Sequence, residues 1–170
     1  MTLIRPFREY HPAVKALVFM LPVSLTVFIH QFFIEEPPDI KYLLKAYYLY
    51  GASNFKDAFH FVVEAPVVEE LTYRGPAWVI LLITVFLNKK FPNKALKITG
   101  YALTIAVLIL STLFWASLHG HYPITVFGYG LVWGWLMIQT RNIIYPMLFH
   151  SGSNAFAMLF IYSGYHCIYN

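Results

Sequence analysis

Apolar runs separated by short polar breaks divide the chain into helices of membrane length. A helix needs about 20 apolar residues to cross the hydrocarbon core. The first candidate is Ala13 to Ile34, interrupted only by Pro22 and His30. Its basic lead could suggest a secretory leader, but the run continues with no small-residue cleavage site, so a retained first span is expected. The acidic, proline-bearing stretch Glu35 to Asp39 ends it. Lys41 to Tyr50, short and rich in Tyr and Lys, predicts a helix lying at the interface. Ala58 to Asn88 is too long for one straight span, and Gly75-Pro76 is expected to divide it, because proline disfavours helical geometry in the residue before it. After a basic loop come Ala95 to Leu118, the break at 119–123, and Ile124 to Gln139, where Gly128, Gly130 and Gly134 offer close backbone approach. The last span is Ile143 to Ile168.

Composition makes lipid the solvent for this pattern. Hydrophobic residues make up 59% of the chain, aromatics 19% and charged residues only 12%, too few to cover a soluble fold. The expected fold is an all-α, polytopic transmembrane bundle of about five spans plus short interfacial or broken helices. It forms one domain over residues 1–170, with 1–57 an N-terminal span and interfacial helix and 58–168 the core. The net charge of +4 sits in short loop clusters rather than among exposed aromatics, which argues against nucleic acid. Placing Arg5, Arg8, Lys15, Lys89, Lys90, Lys94 and Lys97 on the cytoplasmic side gives five crossings. That arrangement leaves His119 near the outer end of its helix and His150 about two turns from the inner end of its own. Cys167 is the single cysteine, so an internal disulfide framework and an all-thiolate metal site are excluded.

Ionisable groups inside apolar helices are the informative exceptions. A mid-membrane charge costs roughly 2.5–3.5 kcal/mol on insertion scales, yet Glu64, Glu69, Glu70 and Arg74 fall within eleven residues. Glu70 and Arg74, four apart with the acid first, have the favourable spacing for a helical ion pair. Glu69 lies about 100° round the helix and addresses a different face. Pro66 lacks an N–H and is expected to leave the Val62 carbonyl unpaired. The bland alternative is a membrane-boundary cluster paired with Arg74 and Lys56. His119 shares a face with Trp115, four residues earlier, but an ordinary helix-end histidine is an equal reading. His121 is expected in a solvated loop. His150 and Asn154 are co-facial, and alone they would be interhelical hydrogen-bond glue. His30, Asn142 and His166, near helix ends, are expected to be structural.

Taken in order, Glu69-Glu70-x-x-x-Arg74, then Trp115-x-x-x-His119, then His150-x-x-x-Asn154 resembles the CPBP intramembrane protease family. That family includes the type II CAAX prenyl endopeptidases and the bacterial Abi proteins. The similarity covers about Ala65 to Phe156, and Trp115 stands where the family more often has phenylalanine. The resemblance implies that Glu69 activates water, that His119, His150 and Asn154 complete the site, and that Glu70 and Arg74 support it.

The expected function is therefore an intramembrane endopeptidase. Its partners would be the lipid bilayer and a membrane-associated protein or peptide, prenylated or otherwise lipid-anchored. Its expected location is the plasma membrane of a prokaryote, as a multi-pass protein. Metal dependence is left open: a catalytic zinc would want three protein ligands, for which His119, His150 and Glu69 or Glu70 are the candidate set, and a glutamate-driven site without metal is the favoured of the two readings. The rival class is a non-enzymatic membrane protein, a transporter component or an immunity or partner-binding protein, using the same polar cavity.

Overall fold

The computed structural model describes residues 54–119 and 123–169, together with positions 11, 14, 15 and 18. The expected first span and interfacial helix, including His30, lie outside the described residues, as do His121 and the side chains of His166 and Cys167. Helix α1 spans Phe55–Lys90, α2 Lys94–Ser117, α3 Pro123–Thr140 and α4 Ile144–Tyr169. There is no strand among the described residues. Helices α1 and α2 are long and apolar enough to cross a membrane, and α3 is a shorter apolar helix. Large apolar side chains such as Val68, Leu71, Leu110, Phe114, Leu148 and Phe156 face outward, the surface expected where lipid is the solvent.

Buried residues trace one stripe along each helix. On α1 it runs Pro66, Glu70, Arg74, Ala77, Leu81, Thr84, in steps of four or three. Its first half is polar and its second half apolar. The apolar half packs on α2, α2 on α3, and α3 on α4, while α4 returns against the first half of α1 and encloses the polar half. Helix α2 contributes Thr104, Leu108, Thr112, Trp115 and Ala116 to this interior. Buried hydroxyls of Thr84 and Thr104 are satisfied by carbonyls of their own helix, four residues back, at 2.8 Å. Side chains at Gly130 and Gly134 would overlap the neighbouring helix α2, so the expected close approach holds at both.

Gly75-Pro76 does not divide α1. Instead the helix contains two π turns, His60–Glu64 and Glu70–Arg74. The N–H groups of Ala65 and Gly75 bond to the carbonyls five residues back, His60 and Glu70. Each π turn ends two residues before a proline, Pro66 and Pro76. In α register a proline ring collides with the carbonyl four residues back; a slip of one residue in register relieves that collision without ending the helix. Asn93 and Asn142 cap the starts of α2 and α4, accepting from Ala95 and Leu96 N–H and from Ile144 N–H. Asn142 is thus structural, as expected.

Candidate active site

The second π turn carries the costliest group in the interior. Arg74 and Glu70 both have fully buried side chains, and Arg74 Nη1 lies 3.3 Å from Glu70 Oε1. The angle does not make this a hydrogen bond, and Arg74 Nε, Nη1 and Nη2 have no hydrogen-bond partner. Charge and stacking hold the guanidinium instead: its Cζ sits 4.1 Å from the Trp115 ring centre and 5.8 Å from that of Trp133. It fits there because Gly130 has no side chain; a Cβ at that position would overlap Arg74 Nη2 and the Thr112 methyl.

The same Glu70 oxygen that faces Arg74 accepts a hydrogen bond from α4. His150 Nδ1–H donates to Glu70 Oε1 at 3.0 Å across 80 residues of chain. A carboxylate only accepts, so a proton sits on Nδ1, and in the neutral imidazole the Nε2 lone pair faces the other way. The imidazole is stacked on Trp133, 4.1 Å between ring centres at 23°. Nε2 points to Glu69 Oε2, 3.8 Å away. That gap is too long for a direct hydrogen bond and within reach of one water touching both atoms. Glu69 keeps 28% of its side-chain surface, where Glu70 keeps none, so only Glu69 is open to solvent or substrate. The indole N–H of Trp115 donates to Glu69 Oε2 at 2.8 Å.

His119 joins the cluster through Trp115. Its Nδ1–H donates to the Trp115 carbonyl at 2.9 Å, and the two rings meet edge-on at 4.9 Å. Asn154 Nδ2 donates to the Phe61 carbonyl at 2.9 Å. In the five-back register of the first π turn, Phe61 is the carbonyl that residue 66 would have bonded, and Pro66 has no N–H to offer. The carbonyl that tertiary structure takes up is therefore Phe61's, one residue earlier than the expected Val62, because the register has slipped. Glu64 stays outside: it is exposed and pairs with His60 Nδ1 at 3.0 Å.

Glu69, Glu70, Arg74 and His150 thus come together, with His119 tied to Trp115 at the end of its own helix and Asn154 tied to α1. Among the described residues no group of three or more His, Cys, Asp or Glu stands where it could hold a metal ion. As placed, the donor set does not fit a three-ligand zinc site. Sequence reasoning missed that Trp115 and Trp133 build the walls of this cluster. The available signal was the Trp115 indole N–H in an apolar helix, which needs a partner once buried.

Fold and site together define a helical membrane protein with an acid–imidazole cluster enclosed by apolar helices. The chain belongs to the Type II CAAX prenyl endopeptidase Rce1-like family, which matches residues 51–156 of 170. This bears out the resemblance to the CAAX proteases, and the match contains every residue of the cluster. No curated protein and no solved structure matches the chain.

Proposed function

We propose that the protein is an intramembrane endopeptidase in which Glu69 activates a water to hydrolyse a peptide bond of a membrane-associated substrate. The observation that carries this reading is the 3.8 Å gap between Glu69 Oε2 and His150 Nε2. With His150 neutral and its Nδ1–H on Glu70, both atoms are acceptors, so a water touching both gives a hydrogen to each and keeps a lone pair for the scissile carbonyl. As the water oxygen bonds to the carbonyl carbon, its proton passes to Glu69. Glu69 then returns that proton to the departing amine as the C–N bond breaks. Glu70 holds His150 in the required tautomer, and Arg74 holds Glu70. His119 and the second amide hydrogen of Asn154, not used by the Phe61 bond, are the groups left to meet the oxyanion; one such donor is typically worth about 10²–10³ in rate.

The family points to a substrate with a prenylated C-terminal tail, and a lipid-embedded site suits any lipid-anchored peptide. The same reading has the protein crossing a prokaryotic plasma membrane five times as a single domain. The test is cleavage of an internally quenched peptide ending in a farnesylated CAAX sequence by protein in phospholipid vesicles. Wild type cleaves it, with or without a strong chelator; Glu69→Gln folds equally well and loses activity by at least about 10³-fold. Equal activity in wild type and Glu69→Gln would return the protein to the partner-binding or transporter class.

A further inference from the structure

We propose that Trp115 is a positioning residue for Glu69, its indole N–H selecting the carboxylate conformation from which water is activated. The inference rests on the hydrolytic reading and adds to it the element that orients the base.

Glu69 is held by no cation of its own helix, since Arg74 is committed to Glu70 and sits against the far carboxylate at 3.3 Å. A glutamate side chain with part of its surface open has several rotamers available, and holding it in one costs rotamer entropy. The 2.8 Å bond from Trp115 to Glu69 Oε2 selects one of them. A hydrogen bond to an ionised acceptor is stronger than a neutral one. Indole is a donor only, so it fixes the carboxylate without competing for the proton that Glu69 must accept.

Trp115 is itself rigid, which is what a positioning role requires. It is only 3% exposed, and its ring is stacked under the Arg74 guanidinium at 4.1 Å. The ring also meets His150 edge-on at 5.6 Å and His119 at 4.9 Å, and the Trp115 carbonyl accepts the His119 Nδ1–H at 2.9 Å. One residue therefore touches the carboxylate and both imidazoles and registers them relative to one another. Packing alone would ask for an aromatic ring here; the N–H bonded to Glu69 is the part that packing does not require.

Trp115→Phe keeps a six-membered ring beside Arg74 and removes the donor together with the pyrrole part of the indole. In the vesicle assay with the farnesylated quenched peptide, kcat falls about 10- to 100-fold, while KM stays within about twofold and the variant elutes and melts like wild type. A packing role alone would not separate kcat from KM in this way. The second measurement needs no activity. In indole-¹⁵N-labelled protein in detergent, Glu69→Ala moves the Trp115 Nε1–H resonance upfield and leaves those of Trp78, Trp133 and Trp135 nearly in place. Assignment by Trp→Phe changes at those three keeps this arm intact if Trp115→Phe does not fold. An unchanged kcat, a change confined to KM, or a Trp115 resonance indifferent to Glu69→Ala overturns the proposal. If wild type fails to cleave the peptide while the resonance responds to Glu69→Ala, the hydrolytic reading falls and the orienting bond stands.

Discussion

Replacing Arg74 with methionine removes the cation from a pair whose side chains are both fully buried, and leaves Glu70 with His150 as its remaining partner. Breaking a buried ion pair from one side costs about 3–5 kcal/mol, because the other charge stays in a low-dielectric interior. Two features of the structure adjust this figure in opposite directions. Loss of the guanidinium over Trp115 removes a cation–π contact worth about 0.5–2 kcal/mol. Removing three nitrogens that have no hydrogen-bond partner recovers part of their desolvation cost, and methionine refills the space. The expected loss for Arg74→Met is about 3 kcal/mol, and about the same for Glu70→Gln, which strands the guanidinium. Together the two changes cost less than their sum by about 2 kcal/mol or more, since neither charge is then left alone. The assay is reversible unfolding in mixed micelles by SDS titration, followed by helical circular dichroism, for wild type, both single variants and the double variant. Additivity to within about 0.5 kcal/mol would show that the two residues are not energetically a pair, and the account of how Glu70 is held would fail with it.

Three further outcomes are read by the same unfolding titration. Asn154→Ala leaves the Phe61 carbonyl without its donor and destabilises by about 1–3 kcal/mol; Asn154→Asp does the same, since a carboxylate cannot donate to a carbonyl. Gly130→Ala forces Arg74 and Thr112 aside and costs about 1–3 kcal/mol, with a comparable loss in Gly134→Ala, where the added carbon meets Leu108. Arg141 sits at φ 56° in the turn between α3 and α4, a backbone region that favours glycine, so Arg141→Gly gains about 0.5–1 kcal/mol. The Trp78 indole bonds to the backbone carbonyl of Arg141 and is kept in that variant.

Much of the site was legible as spacing. The i, i+4 rule paired Glu70 with Arg74 and left Glu69 on another face, and the structure places both accordingly. Polar residues in apolar helices marked His150 correctly as an inward group, because a lipid-facing imidazole would be costly. Local rules failed at the prolines. Pro76 was expected to interrupt α1, but a π turn absorbs it, and which register a helix takes beside a proline depends on what satisfies the freed carbonyl. For Pro66 that group is Asn154, ninety-three residues away from the carbonyl it caps.

By itself the sequence determined the solvent and the segments: few charges and long apolar runs leave lipid as the only medium for such a surface, and polar breaks mark where α2 and α3 begin and end and where α4 begins. It also set which residues share a face, since helical geometry is a local property of the chain. Only the tertiary structure decided which partner each of those faces meets. That His150 leans on Glu70, that Trp115 donates to Glu69, and that Arg74 occupies the space left by Gly130 all follow from how α2, α3 and α4 rotate and slide against α1. Those degrees of freedom are settled by close packing between helices.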